Sequence, residues 1–348
     1  MTTFTHFNKG PYTVPGGTSW YLADLGEFRG KQELYTRQSP QQLKTLREHA
    51  LIESAVSSNR MEGVTVDPHR VKNLLVSPKP LFRDRDEEEV RGYREALGLI
   101  HDHGEGLPIT EETICRLHRM TRGEIWDAGC YKEKDGDIIE RYPDGRERVR
   151  FRTVPASATP KAMEHLIRDW NACLSERRVH PLIGMAAFNL DFLCIHPFRD
   201  GNGRVSRLLL LLQCQKLGYD VGRYISLERL VEQNKESYYE TLEQSSTGWH
   251  VGEHNPWPYI NFILFILKTA YQEFTSRVGD IQAPRGSKTE LVLSAIARQK
   301  GDFAMADIQE LCPTVGIDML RRILRIERES GRLSCLGRGP NARWRRIG

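Results

Sequence analysis

The sequence predicts a mainly α-helical protein that carries one β-hairpin and ends in a separate basic domain. The runs Pro181 to Ile195 and Leu208 to Leu212 are apolar on most sides, as buried central helices are. Between Cys130 and Pro155, two β-prone arms (Ile138, Ile139, Tyr142 and Val149, Phe151, Val154) flank the turn sequence Pro143-Asp144-Gly145. Around Val278 to Ser287, Gly279, Pro284 and Gly286 interrupt the helical pattern.

Met1 to Gly17 is polar with glycine and proline; it reads as extended chain with no signal or transit segment. From Gln41 to Met61, Leu43, Leu46, Ala50, Ile52, Ala55 and Val56 keep helical spacing. Gly63 suits the position just past that helix, which leaves Glu62 in its last turn. A further helix ends near Ile100, and His101-Asp102-His103 reads as the loop after it rather than as a metal cluster. Thr159 as N-cap and Pro160 at N1 open the helix that follows the hairpin. Asn234, Tyr238, Tyr239 and Leu242 lie on an amphipathic helix, where tyrosines are more often core than ligand contacts. Trp257 to Ile266 belongs to the last helix of the bundle.

The turn between the two apolar runs carries the chemistry. It reads His196-Pro197-Phe198-Arg199-Asp200-Gly201-Asn202-Gly203-Arg204-Val205-Ser206-Arg207. Glycines on either side of Asn202 permit a tight helix-to-helix turn and close approach of a ligand. The unpaired N–H groups opening the next helix favour an anion there. Arg204 and Arg207, at i and i+3, present guanidinium forks suited to phosphate oxygens. Asp200 is a hard oxygen ligand of the kind Mg²⁺ takes, and His196 can accept a proton near neutral pH. Phe198 reads as a core anchor.

This run resembles the signature of the Fic (Fic/Doc) family, H-P-F-x-[D/E/N]-G-N-G-R-x-x-R, and meets every specified position. The resemblance implies a Fic-type helical bundle with a β-hairpin flap, and transfer of AMP from ATP to a Ser, Thr or Tyr hydroxyl of a target protein or of the chain itself. It implies His196 as base, Asp200 on Mg²⁺, Gly201, Asn202 and Gly203 cradling phosphates, and Arg204 and Arg207 holding the β- and γ-phosphates. Ser58, Glu62 and Gly63 match the family's inhibitory motif, [S/T]-x-x-x-E-[G/N], placed before the core. The implied resting contact is Glu62 on Arg207, which takes the guanidinium meant for the γ-phosphate. In the same family the hairpin, about residues 131–154, is the flap that docks the target by strand addition. Here the chain departs from the pattern, with Gly129 followed by Lys132 and a single Pro155. Tyr238 and Tyr239 fall where the family's nucleotide lies, as walls of an adenine pocket.

Beyond the break, Ser287-Lys288-Thr289-Glu290 reads as a capping box. Helices near Ala306 to Leu311 and Val315 to Ser330, then a strand around Trp344, follow in an order that resembles a winged helix-turn-helix. Residues 285–348 hold 13 Lys/Arg and 7 Asp/Glu, a net +6 against +4 for the whole chain, so basic charge concentrates there. Two readings stand for this tail: DNA binding through Arg321, Arg322, Arg325, Arg338 and Arg343, or a protein-binding, dimer-forming surface. The expected division is 1–100 for an N-terminal helical region carrying the inhibitory helix, 101–278 for the catalytic core and 286–348 for the winged helix.

Seven cysteines with no C-x-x-C spacing read as free thiols in a reducing, cytoplasmic setting. No apolar run reaches the roughly 18–20 residues that span a bilayer. For the whole chain the sequence supports an autoinhibited AMP transferase. Removal of AMP, or transfer of another nucleotidyl or phosphate group, stays open within the enzyme class; a nucleotide-sensing DNA-binding regulator is the alternative outside it.

Overall fold

The computed structural model describes residues 2–347 apart from 9–11, 37–39, 78–80, 124, 142–143, 283–286, 298, 300, 313–314 and 338–341. The helices before the hairpin are α1 (Thr3–Asn8), α2 (Gly16–Thr36), α3 (Pro40–Met61), α4 (Pro68–Val76), α5 (Arg85–His103) and α6 (Glu111–Arg122). The hairpin pairs β1 (Asp137–Arg141) with β2 (Glu147–Arg152) antiparallel, Asp137 opposite Arg152 and Arg141 opposite Glu147. Then come α7 (Thr159–Glu176), α8 (Pro181–Ile195), α9 (Asn202–Lys216), α10 (Leu227–Gln233), α11 (Lys235–Ser246) and α12 (Trp257–Gln282).

Two compact units, Met1–Thr275 and Ser276–Gly348, make up the chain. In the first, α8 is buried from Leu182 through Ile195, as its all-round apolar sequence requires, and α9 is nearly as enclosed. Capping side chains fix the neighbouring helices: Asp84 accepts from the Glu87 N–H at the start of α5, and Thr110 accepts from the Thr113 N–H at the start of α6. The expected 1–100 region does not stand apart, since α3 packs on α5, α9 and α10 within the first unit.

Four sequence expectations change. Residues 3–8 are helical rather than extended, because Phe4 and Phe7 bury their rings and Asp191 accepts the Thr3 backbone N–H. His101-Asp102-His103 is the last turn of α5, which nothing breaks before Gly104; His101 is buried, and that burial lowers its pKa to about 3. Thr159 is not an N-cap: a short 3₁₀ turn at Ala156–Ala158 leads into α7, and the Thr159 hydroxyl donates to the Pro155 carbonyl. The expected break at 278–287 starts late, as α12 runs on through Gly279 to Gln282 and the units divide between Thr275 and Ser276. Pro284 and Gly286 lie outside the described residues, as do Tyr142 and Pro143 of the hairpin turn and Arg338.

The second unit contains α13 (Ser287–Ala297), β3 (Phe303–Ala304), α14 (Met305–Leu311), α15 (Ile317–Glu329), β4 (Leu333–Cys335) and β5 (Arg343–Arg346), with sheet order β3-β5-β4. These three helices and three strands close over Val292, Phe303, Ile308, Leu320 and Leu324. The capping-box side chains of Ser287 and Glu290 lie outside the described residues. Among the described residues no helix is long and apolar enough to cross a membrane, and no cysteine is in a disulfide.

Candidate active site

The site forms where α8 gives way to α9. Helix α8 ends on His196, a non-glycine residue in left-handed conformation (φ +53°), whose N–H still donates to the Phe192 carbonyl. The His196 Nδ1 lies 3.3 Å from the Leu193 carbonyl. A carbonyl only accepts, so Nδ1 carries the proton and Nε2 is left as an acceptor. Desolvation, helped by the nearby Lys132 ammonium, lowers the His196 pKa to about 4, so the ring is neutral at pH 7.

Lys132 was noted in the sequence only as a departure from a family pattern. It is buried at the base of the hairpin, and its Nζ donates to Thr153 Oγ1 (2.7 Å) and to the Ile195 carbonyl (3.2 Å). Its backbone N–H donates to the Pro197 carbonyl at 2.8 Å, so one residue ties both sides of His196 to the hairpin. Burial lowers its own pKa to about 8.

Asn202 and Phe198 close the turn on themselves. The Asn202 Oδ1 accepts from the Phe198 N–H (2.9 Å) and its Nδ2 donates to the Phe198 carbonyl (2.7 Å), while Gly201 takes φ +80°. The Asn202 side chain is therefore engaged in holding the loop. Phe198 is fully buried and stacks on His118, ring centroids 3.8 Å apart and planes at 3°; His118 Nε2 also meets the Asp200 carbonyl at 3.0 Å. No side chain caps the N-terminus of α9, so its first N–H groups face the turn available to an anion.

The two arginines of α9 part company. Arg204 is fully buried, and its guanidinium donates to Glu89 Oε2 (2.5 Å) and Asn59 Oδ1 (3.3 Å). Glu89 also accepts from Arg122 (2.8 Å), which in turn donates to Asp200 Oδ2 (2.6 Å). This Arg204–Glu89–Arg122–Asp200 chain braces the turn from beneath and takes Arg204 out of reach of a phosphate. Arg207 donates from Nε to Ser58 Oγ (2.8 Å), and from one terminal nitrogen to the Ser58 carbonyl (2.9 Å) and Glu62 Oε1 (2.7 Å). Gly63 takes φ +82° just beyond, which ends α3 and turns the chain away. A Cβ on Gly203 would lie 2.3 Å from Glu62 Oε1, so the Glu62 carboxylate rests directly on the first turn of α9. Desolvation works against the Arg207 charge, but Glu62, Tyr93 and Tyr238 together favour it and the net pKa is raised.

His196, Glu62, Gly203, Arg207, Tyr238 and Tyr239 line one cleft of about 240 Å³ beside the hairpin. Tyr238 is buried in its wall, and Arg150 of β2 lies over the Tyr239 ring. Asp200, its side chain 53 % exposed, accepts from Gly201 N–H and from Arg122. Desolvation raises its pKa less than Arg122 and Arg204 lower it, so the carboxylate is ionised. Among the described residues no three His, Cys, Asp or Glu cluster as a metal cage. One exposed, charged carboxylate fits Mg²⁺ of the kind shared with substrate phosphates.

A neutral imidazole acceptor thus stands beside an uncapped helix N-terminus and a buried arginine on a helical bundle, groups chemically suited to an anion and a proton donor. Residues 108–214 match the Fic/DOC family. Over 214 residues it is 24 % identical to Protein adenylyltransferase Fic of Nematostella vectensis, a match covering 59 % of this chain and 46 % of that protein. The chain thus spans less than half the length of that curated relative. A Fic family protein from Desulfovibrio desulfuricans G20 shares the fold with TM-score 0.63 at 24 % identity, covering 98 % of both chains. A Fic domain containing signaling protein from Bacteroides thetaiotaomicron VPI-5482 does so with TM-score 0.62 at 22 % identity, covering 74 % of this chain and 97 % of that one.

Glu89, Arg122 and His118 escaped the sequence reading. They stand on α5 and α6, far upstream of the turn, among charged residues that look like an ordinary solvated helix face.

Proposed function

We propose that this chain transfers AMP from ATP to a protein hydroxyl and that Glu62 restrains it at rest. His196 Nε2 takes the proton of the acceptor hydroxyl, whose oxygen forms a bond to the α-phosphorus as the bond to diphosphate breaks. Arg207 and the α9 N–H groups hold phosphate oxygens, and the turn keeps the reacting atoms in line, which is where most of the catalysis of such transfers lies. Asp200 is the residue that would hold Mg²⁺, which supplies charge neutralisation on the phosphates. The relatives named protein adenylyltransferase support AMP as the transferred group.

The observation that carries the restraint is the 2.7 Å contact between Glu62 and Arg207 in the same cleft as His196. A carboxylate there takes the guanidinium and lies against Gly203 in the first turn of α9. Incorporation of labelled AMP tests both parts: Glu62→Gly gains transfer to itself and to added protein, and His196→Ala abolishes it in either background. An unchanged rate in Glu62→Gly would remove the restraint from this reading.

The C-terminal unit carries a second reading, DNA binding. Arg322 and Arg325 are exposed on α15, whereas Arg321 pairs with Asp318 and Arg345 with Asp302. Duplex affinity that falls steeply with salt and is lost in Arg322→Glu/Arg325→Glu is the expected result; no affinity at low salt would leave this unit as a protein-binding one.

A further inference from the structure

Glu228 stands on α10 with 2 % of its surface exposed. Its Oε1 accepts from the Tyr93 hydroxyl (3.1 Å) and its Oε2 from the Ser54 hydroxyl (2.7 Å). Both partners are neutral, so among the described residues this buried carboxylate has no cation in direct contact. The neighbouring Arg229 is spent on Glu53 and Glu273. Tyr93 is fully buried on α5; burial first and then Glu228 hold the proton on its hydroxyl, and the Arg207 charge works the other way. Ser58 adjoins the same hydroxyl. From its own side, Arg207 spends Nε on the Ser58 hydroxyl and one terminal nitrogen on the Ser58 carbonyl and Glu62. The remaining nitrogen, Nη1, is 3.1 Å from where a Cβ on Gly203 would stand, and Gly203 lines the cleft. Arg207 thus has one counter-charge in the cleft, Glu62, and another, Glu228, inside the bundle beyond two hydroxyls. Away from water such a charge is weakly screened and the hydroxyls between polarise in its favour. Ser54 and Ser58 are one turn apart on α3, so the Ser54–Glu228 bond also fixes the stretch of helix whose carbonyl holds Arg207.

We propose that Glu228, acting through Tyr93, is the standing counter-charge of Arg207 and keeps its guanidinium turned into the cleft for the terminal phosphates of a nucleotide once Glu62 has left. Both are positioning residues, since neither lines the cleft. The inference rests on the reading of Arg207 as a phosphate-holding group that Glu62 covers at rest. A buried guanidinium stripped of its only counter-charge is driven toward another acceptor or toward water. With Glu228 behind it, Arg207 loses Glu62 without losing its last counter-charge, and the cleft is preformed when nucleotide arrives. The benefit reaches only phosphates that Arg207 holds, so it separates ATP from AMP.

Calorimetric titration of Mg²⁺ with ATP or AMP into the full-length Glu62→Gly/His196→Ala protein, where the restraint is gone and no turnover intervenes, tests it. Tyr93→Phe and Glu228→Gln are each expected to weaken ATP by about tenfold and AMP by less than about twofold. Once Arg207 is alanine, neither is expected to weaken ATP further, because groups that act through one guanidinium are not additive. Equal losses for ATP and AMP mark a merely structural role and overturn the proposal, as does a loss that persists in Arg207→Ala. Tyr93→Phe keeps the packed ring, so the test stands even where Glu228→Gln fails to fold. If Arg207→Ala weakens ATP while Tyr93→Phe does not, the phosphate-holding reading stands and this proposal alone falls. If Arg207→Ala leaves ATP untouched, that reading falls and takes the proposal with it.

Discussion

Two ion-pair regions meet at α9, one beneath the anion-binding turn and one on its open side. Beneath, Glu89 bridges Arg122 and Arg204, whose side chains are 5 % and 1 % exposed, and none of Glu89, Arg122, Arg204 and Asp200 lines the cleft. On the open side, Glu62 meets Arg207 with its carboxylate side chain 26 % exposed and lining the cleft. The sequence spaces Arg204 and Arg207 as equals on one helix; burial of their partners makes one a strut and leaves the other releasable. A buried pair that loses a partner leaves an uncompensated charge, whereas a cleft-facing pair hands its partner to water or ligand.

The largest expected effect separates the two regions by stability. Glu89→Ala takes the shared carboxylate from two buried guanidinium groups, leaving Arg204 only Asn59 and Arg122 only Asp200, and is expected to lower unfolding free energy by about 3–5 kcal/mol in urea melts. Glu62→Gly is expected to cost clearly less in the same melts, because Arg207, though buried, lines the cleft and keeps the Ser58 hydroxyl and carbonyl. Similar losses would erase the distinction. By activity the order reverses: Glu62→Gly raises AMP incorporation by about tenfold or more, and Glu89→Ala only lowers it.

Lys132→Met probes the tie between turn and hairpin. His196 keeps its proton-accepting form above about pH 4, because burial and the Lys132 charge favour the neutral ring; Glu62 and Asp200 push the other way. Removing the ammonium raises the midpoint toward the ordinary 6.5, so the acid limb of activity moves to higher pH. NMR titration of the His196 ring reads the same shift without turnover, and an unmoved midpoint would leave Lys132 with a tethering role alone. The smallest effect is expected from Ser58→Ala. It removes one acceptor from Arg207 but leaves Glu62 and the Ser58 carbonyl in place, so transfer rises only a few-fold and less than in Glu62→Gly.

Local pattern carried much of this architecture. The apolar run Pro181 to Ile195 is α8 to the residue, and the helix ending at Met61 sets Glu62 where a contact 145 residues away becomes possible. What stayed hidden depends on tertiary partners. Glu89 and Arg122 look like solvated charges until α5 and α6 pack under the turn, and Arg204 looks like a phosphate ligand until Glu89 takes it. The short N-terminal helix was equally invisible, because its stability comes from two buried phenylalanines and a carboxylate on α8 rather than from its own propensity.

The left-handed backbone at His196 sets stability against use. An L-residue with a Cβ held there costs on the order of 1–2 kcal/mol relative to its preferred conformation, a cost that glycine escapes. Selection for folding alone would favour Gly at this position, with Asn next. A descendant of this chain that no longer moved protons would gain stability by discarding its base, so a histidine kept there is maintained against the backbone's own preference.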